Sequence, residues 1–577
     1  MDNKRIAEIF QEIGDILEIK GENSFRVNAY KNASISILNS PFDLRDIFEK
    51  NPRDLEKIPG VGQNLREHIV ELFTTGRCKE FEKIQKSIPK GLLSLLRIRG
   101  VGPKKVKLFY SQLKIHDVQG LKRAAESGLL AELPGMGEKS QKDILEAISE
   151  HAKFDFDRSL IGEALMEAEK YIEYMKKCEA IKRIEYAGSL RRREETIGDI
   201  DLLATVTPQS GDGVVADHFV KYHDVLKVVA RGETKSAVIL EGGMQVDLRV
   251  VEDEVFGAAL HYFTGSKAHN IKVREMAKKK GLKVSEYGVF KLPKGNKIAC
   301  KTEKDVFDAV GLPYIEPELR KGEDEIEFAL KSKKMPRLVE LEDLKGDLHI
   351  HSVWSDGTNS IAKIAEVYKN AGFEYIAMSD HSSAVGITGG MGTHKIKEQW
   401  KEIDHVNKNL REFKILKSCE VDILKDGSLD FSDDILKQLD VVVASAHMYM
   451  RLDEEQQTKR IIAAIENPYV KILGHPTGRM INQRGPMKLN MEKIIDACRV
   501  NKVAIEINSN PLRLDLSDRY ARMVKEKGVK IVINSDGHDA SQYQLLKYGI
   551  FVARRAWLTK DDVLNTKNLK QFLSFWE

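Results

Sequence analysis

At 577 residues with a net charge of +4, the chain is long enough for several domains, each with its own core, and too evenly charged overall to name a partner. Its longest apolar runs, such as VVVASA from Val441, are too short to span a bilayer, and the start MDNKRIAEIF lacks a signal peptide's apolar core, so a cytoplasmic protein with no membrane partner is expected. The five cysteines, Cys78, Cys178, Cys300, Cys419 and Cys498, form no CxxC pair, which argues against a disulfide framework or a thiolate zinc site.

Residues 1–85 read as short helices, and within them IPGVGQNLREHIVELF begins an internal repeat that returns as IRGVGPKKVKLFY and LPGMGEKSQKDILEAI within 86–150. Each copy is an apolar residue, a Gly-x-Gly turn (Gly60 and Gly62, Gly100 and Gly102, Gly135 and Gly137) and an amphipathic helix. Glycine there permits positive φ and lets backbone N–H groups at the helix start face an anion. The repeat resembles the helix-hairpin-helix motif, which implies a grip on the DNA backbone without base readout, strong salt dependence and often a bound monovalent cation. One such hairpin serves equally as a plain helix-helix turn; three copies favour DNA. Over residues 51–107, which hold the first two copies, Lys and Arg outnumber Asp and Glu roughly two to one. The third copy is less basic and reads as mainly structural.

A long amphipathic helix over 154–177 leads into GSLRRREETIGDIDLL, residues 188–203, which begins on a Gly-Ser turn and ends on a strand with Asp199 and Asp201 two residues apart. Alternate strand residues share a face, so both carboxylates grip the same cations, and oxygen donors suit Mg²⁺ or Mn²⁺ with a phosphate substrate. Asp247, in the strand-like run MQVDLRVV, is suited to join them in a two-metal site for in-line attack on phosphorus, with Ser189 and Arg192 near the leaving phosphates. A bare Asp-x-Asp is more often a solvated strand face; the Gly-Ser turn eleven residues upstream sets this one apart. The pattern resembles the palm of the nucleotidyltransferase superfamily, and the arginines after Gly-Ser with Gly198 before the first aspartate resemble the family X DNA polymerases. That resemblance implies a palm over 151–250 in which Asp199 and Asp201 hold both metals and Asp247 holds the one that activates the primer 3′-OH. Gly188, Ser189, Arg192 and Gly198 are then expected to contact the triphosphate.

HYFTGSKAHNIKVREMAKKKGLKVSEYGVF, residues 261–290, follows and resembles the thumb of the same family, expected over 251–320. By that resemblance Tyr262 and Phe263 pack near the incoming sugar and disfavour a ribose 2′-OH, Gly265 and Asn270 belong to the nucleotide site, and Arg274 reaches the template strand. Residues 321–342 are highly charged and read as a partly helical interdomain linker.

From 343 to 577 short apolar strands alternate with helices, the signature of a parallel α/β barrel or layered sheet, with about seven strands near Leu348, Tyr375, Ile415, Val441, Val470, Val503 and Ile531. Metal-ligand residues stand at or just beyond the C-terminal end of nearly all of them: His349, His351 and Asp356, then His381, Glu420, His447 and His475, then Asp536 and His538. One histidine on an apolar strand is ordinarily a satisfied core residue; nine such residues at successive strand ends are not explained that way. Imidazole with carboxylate suits Zn²⁺ or Mn²⁺. The set resembles the PHP (polymerase and histidinol phosphatase) domain, which implies a distorted seven-stranded barrel holding up to three ions. One ion would lie between His349, His351, Glu420 and Asp536; Glu420 would bridge to a second held by His447 and His475; Asp356, His381 and His538 would hold the third.

Modules in this order resemble the bacterial and archaeal family X DNA polymerases along nearly the whole chain. The resemblance implies a multidomain α+β and α/β protein that acts as a monomer on gapped or nicked double-stranded DNA with dNTPs. Template-dependent gap filling would be joined by a 3′-to-5′ exonuclease, with abasic-site cleavage and 3′-phosphate removal as further phosphoester reactions. Two departures from the vertebrate repair members matter: His68 and Asn64 stand where the deoxyribose-phosphate lyase has lysines, and Gln245 where an arginine precedes the last aspartate. A histidine forms no equivalent imine, so that lyase is expected weak or absent. The alternative, a PHP-type DNA-end nuclease with little polymerase activity, would need a damaged palm, and all three aspartates and the Gly-Ser turn are intact.

Overall fold

The computed structural model describes residues 3–38, 44–58, 60–89, 91–98, 100–151, 158–207, 213–298, 300–384 and 386–577, and the chain forms two compact units, Met1–Asp155 and Phe156–Glu577. The first unit is helical. Ile6, Phe10, Ile13 and Leu17 recur at helical spacing along helix Asn3–Lys20 and pack on Val27, Tyr30 and Ile37 of helix Ser24–Leu38. A second apolar cluster joins Leu92, Leu95, Val106, Phe109, Leu121 and Ile144. The three Gly-x-Gly copies close alike: the first glycine is left-handed (Gly60 φ 81°, Gly100 φ 80°, Gly135 φ 74°) and the next residue's N–H reaches the carbonyl three residues back. These bonds are Val61 to Ile58 at 3.0 Å, Val101 to Ile98 at 3.0 Å and Met136 to Leu133 at 2.9 Å.

The second unit opens with β1 (Ser159–Leu160), which pairs with β3 (Thr196–Ile197). A five-stranded sheet then runs in the order β2 (Ile181–Tyr186), β4 (Asp199–Val206), β7 (Gln245–Val251), β6 (Lys235–Leu240), β5 (Val225–Ala230). Helix Ile161–Met175 covers it through Ala164, Leu165, Ala168 and Tyr171. This is shorter than the helix expected from 154, whose first four positions lie outside the described residues. Helices Phe256–Thr264, Lys267–Lys279 and Glu303–Val310 follow, with a small antiparallel sheet of β8 (Leu282–Ser285), β9 (Gly288–Lys291) and β10 (Asn296–Ile298).

The stretch 321–342, expected as a charged linker, is folded down. Its helix Glu325–Ser332 buries Ile326 and Ala329, and Leu338 joins the same apolar cluster as Val273, Phe307 and Trp557. Glu325, 1% exposed, takes hydrogen bonds from the His269 ring at 2.8 Å and the Gly322 N–H at 2.8 Å. Glu327 likewise pairs with Lys272 at 2.9 Å, so these two charges of the stretch have fixed partners.

Seven parallel strands then stand in sequence order: β11 (Gly346–Ile350), β12 (Tyr375–Met378), β13 (Lys414–Asp422), β14 (Val441–Ser445), β15 (Ile472–Leu473), β16 (Ala504–Asn508) and β17 (Ile531–Asn534). Their near-continuous apolar runs fit strands buried on both faces. Closure from β17 back to β11 is made partly by side chains. Asn534 Oδ1 accepts from the Leu348 N–H at 3.1 Å, Asn565 Nδ2 donates to the carbonyls of Gly346 (2.8 Å) and Ile533 (2.7 Å), and the His351 N–H reaches Gly537 O at 2.8 Å. The two edges of the sheet are thereby satisfied without a full ladder. The hydrophobic core runs without a break from the five-stranded sheet into the barrel.

Candidate active sites

Strand alternation puts Asp199 and Asp201 on one face of β4, and the parallel register with β7 sets Asp247 directly opposite Asp201. Ligand oxygens of all three lie within 4.8 Å of one another. Burial, then the charges of Asp199 and Asp247, push the Asp201 carboxyl up to about 7, with Arg192 and Arg249 opposing. Three carboxylates this close leave concentrated negative charge and only oxygen donors, so the set fits a hard divalent ion. Gly188 is required beside them: at φ 59°, a Cβ there would stand 2.1 Å from Asp201 Oδ2. Gln245 Nε2 donates to Asp247 Oδ2 at 3.0 Å, so this departure from arginine keeps a hold on the third acid while losing a charge.

Asp199 and Asp201 border a cleft of about 730 Å³ lined also by Gly188, Ser189, Arg192, Tyr262, Phe263, Gly265, Asn270 and Arg274, among others; Asp247 is not among its lining residues. Arg192 is partly buried, which lowers its pKa, and its Nη1 donates to Thr264 O at 2.6 Å, tying the Gly-Ser turn to the helix that carries Tyr262 and Phe263. Those two rings meet edge to face with centroids 5.3 Å apart. Asn270 Nδ2 donates to Tyr262 O at 2.7 Å, while its buried Oδ1 has no hydrogen-bond partner. Asn270 lines the cleft, so this unpaired acceptor stands at its wall. Gly198 is not among the lining residues; a Cβ there would meet Arg158 Nη1 at 3.0 Å.

In the barrel the nine expected residues converge at the carboxyl ends of the strands. His349 Nε2 lies 3.3 Å from Glu420 Oε1 and 3.8 Å from Asp536 Oδ1, and His351 Nε2 lies 3.1 Å from Asp536 Oδ1. Glu420 Oε1 also has His447 Nε2 at 3.3 Å and His475 Nε2 at 2.7 Å. On the outer side Asp356 Oδ2 has His381 Nε2 at 3.5 Å and His538 Nε2 at 3.4 Å, while His381 Nδ1 turns inward to Glu420 Oε2 at 2.8 Å. Donors that share one ion at bonds of about 2.1 Å lie roughly 3–3.5 Å apart, the spacing seen here. His349 Nε2, His351 Nδ1, His381 Nδ1 and Glu420 Oε2 are buried and, close as some of them lie, meet no partner at hydrogen-bond angles, so these four atoms fit metal ligation.

The electrostatics agree with that fit. Burial, the largest single influence, lowers His381 and His447, but Glu420 together with Asp356 and Asp422 respectively outweighs it and carries them up to about 10 and about 9. Burial, then the charges of His538 and His381, bring His351 down to about 3. Protons drawn in by Glu420 are those a divalent ion would replace. Two ligands, His475 (φ 22°) and Asp536 (φ 53°), hold left-handed backbone, which a surrounding structure must enforce.

Sequence reasoning missed the residues that hold these ligands. Glu506, wholly buried on β16, takes His349 Nδ1 at 2.8 Å, the His475 N–H at 2.7 Å and Asn534 Nδ2 at 2.8 Å. Asp422 on β13 takes His447 Nδ1 at 3.2 Å. Arg513 Nε stands 3.6 Å from Asp536 Oδ2 and brings a positive charge to the site. A signal was present for Glu506, a lone carboxylate inside an apolar strand run, where burial demands a partner.

In the first unit nothing stands within 4 Å of a Cβ at Gly62, Gly102 or Gly137, so the helix starts that follow them are open to an approaching anion. The half-buried His68 ring stacks on Tyr30 at 6.2 Å. His68, Glu71 and Cys78 also bring ligand atoms within 4.8 Å of one another, but Glu71 already accepts the Lys79 N–H at 3.2 Å. Among the described residues no helix is long and apolar enough to cross a membrane.

Four family models match the chain: a helix-hairpin-helix domain over 1–78, a SAM-like helix-hairpin-helix tandem over 92–150, the DNA polymerase beta thumb over 259–321 and the PHP domain over 347–510. The chain is 37% identical to the DNA polymerase/3'-5' exonuclease PolX of Bacillus subtilis (strain 168), across 100% of this chain and 99% of that one. It is 33% identical to a probable phosphatase of Thermoanaerobacter sp. (strain X514), over 39% of this chain and 93% of that protein. To DNA polymerase lambda of Rattus norvegicus it is 27% identical, over 45% of this chain and 47% of that one.

Proposed function

The chain belongs to the bacterial family X DNA polymerases that carry a PHP domain, and on that footing we propose that it fills short gaps in DNA and trims DNA 3′ ends. The observation that carries the polymerase reading is Asp247 opposite Asp201 in parallel register, beside a cleft lined by Ser189, Arg192 and Asn270. Divalent cations, Mg²⁺ or Mn²⁺, held by Asp199, Asp201 and Asp247 would supply charge neutralisation for in-line attack on phosphorus. Ser189 and Arg192 bind the triphosphate, and Gly188 leaves room for Asp201. Tyr262 and Phe263 wall the sugar and disfavour a 2′-OH, Asn270 Oδ1 accepts from the nucleotide, and Arg274 reaches the template.

In the barrel, up to three Zn²⁺ or Mn²⁺ ions held by the nine ligands would supply an activated water and a clamp for phosphate. Glu506 and Asp422 orient the imidazoles, and Arg513 offers charge to the scissile phosphate. The substrates are phosphoesters at DNA ends: 3′-to-5′ exonuclease cleavage first, with abasic-site cleavage and 3′-phosphate removal as related reactions. The helix-hairpin-helix turns hold the duplex backbone, with a monovalent cation, and the protein acts as a monomer in the cytoplasm. Deoxyribose-phosphate lyase is weak or absent because His68 forms no Schiff base; a borohydride-stable adduct on an incised abasic site would overturn that.

The test is extension and degradation of a labelled primer at a one-nucleotide gap in Mn²⁺, with and without dNTPs. Asp199→Ala should only degrade and His349→Ala should only extend. Degradation that survives His349→Ala would remove hydrolysis from the barrel.

A further inference from the structure

We propose that the barrel supplies a positioning residue to the polymerase cleft: Arg555 neutralises Glu194 and holds the loop that presents Arg192 to the nucleotide. The proposal rests on the polymerase reading of that cleft. Two of the cleft's lining residues, Asp518 and Arg555, come from the barrel half of the chain, more than 300 residues beyond the Gly-Ser turn. Arg555 ends helix Leu546–Arg555 and is 7% exposed. Its Nη1 pairs with Glu194 Oε2 at 2.6 Å and lies 3.4 Å from the carbonyl oxygen of Arg192 itself. Its Nη2 pairs with Asp518 Oδ2 at 2.6 Å, an oxygen shared with Lys321 Nζ at 2.6 Å.

The chemistry of the cleft explains why such a residue is needed. A triphosphate is strongly anionic, yet the wall it must approach carries Asp199, Asp201, Glu194 and Glu195. Glu195 is drawn aside by Arg479 of the barrel, whose two Nη atoms take its carboxylate at 3.0 and 2.6 Å. Glu194 remains next to the nucleotide loop, 3.5 Å from Arg192 Nε, and so competes with phosphate for that arginine. Arg555 is the opposing charge on Glu194. Remove it, and a half-buried carboxylate is left uncompensated 3.5 Å from Arg192.

The test is steady-state gap filling by the full chain, with barrel hydrolysis measured on the same preparations. Arg555→Ala should raise the KM for dNTP about 10-fold, as expected for one truncated partner of a partly buried charge pair, with kcat little changed and hydrolysis at the parent rate. Adding Glu194→Gln to Arg555→Ala should recover most of that loss, and Arg555→Lys should lie between parent and alanine. A parental KM in Arg555→Ala overturns the proposal, and so does failure of Glu194→Gln to rescue it. If Arg555→Ala does not fold, Glu194→Gln alone decides: its KM should stay at or below the parent's, and a rise of about tenfold overturns the neutralising role. A parent that adds no nucleotide would instead fail the polymerase reading.

Discussion

In the palm, three carboxylates stand on two adjacent strands, and two of them line a wide cleft; in the barrel, nine mixed donors close on one another at the ends of a buried sheet. The barrel ligands are braced from within their own fold, by Glu506 behind His349 and Asp422 behind His447. The palm is braced from outside, by Arg191 to Glu303 on the thumb side and by Arg555 and Arg479 on the barrel side. The difference follows from the substrates. A centre that hydrolyses ends is served by a rigid, self-compensating ligand set, whereas one that admits a triphosphate and a primer must stay open and borrow its support.

The largest effect should come from Asp247→Ala, which removes one of the opposed palm acids: nucleotide addition falls about 10³-fold in single-turnover extension, while gapped-DNA binding and barrel hydrolysis persist. Normal addition by that variant would break the palm half of the comparison. Next, Glu506→Gln should lower metal affinity about 10- to 100-fold at the barrel, read by metal titration after dialysis, and leave extension unchanged. A parental affinity would show that the inner brace does not tune the ligands.

A smaller effect concerns the palm's outer brace. Burial alone would raise Glu303, but the charges and hydrogen bonds of Arg320 and Arg191 hold its carboxyl well below its ordinary 4.5. A depressed carboxyl contributes fully above its unfolded value and loses that contribution as pH falls below about 4.5. Glu303→Gln, which strands Arg320 in the core, should cost about 3 kcal/mol at neutral pH and much less in acid, by melting curves at both pH values. An equal loss at both would mean that the glutamate matters by packing rather than charge.

Much of this was legible in the residues. Seven strands were expected at positions matching β11–β17, with β15 at Ile472–Leu473 and β16 at Ala504–Asn508 just beyond the expected Val470 and Val503. The nine barrel residues do meet, because each sits at the end of a buried strand and parallel barrels gather those ends in one place. The helix-hairpin-helix turns were equally visible, since Gly-x-Gly at a helix start constrains the backbone locally. Less visible was the role of 321–342: its charges resemble a solvated linker until His269, Lys272 and Trp557 are seen packed against it.

By itself, the sequence determined which groups share a face and which turns must be glycine. Asp199 with Asp201 and His349 with His351 are two residues apart, and strand geometry alone aligns them. Only the tertiary structure decided which distant partners meet. Asp247 joins the palm acids through strand register, Glu506 reaches His349 across the barrel, and Arg555 reaches Glu194 from another part of the chain. The physical reason is range: backbone periodicity acts over a few residues and is written in spacing. An ion pair between long side chains depends on how whole elements pack, and no local pattern records it.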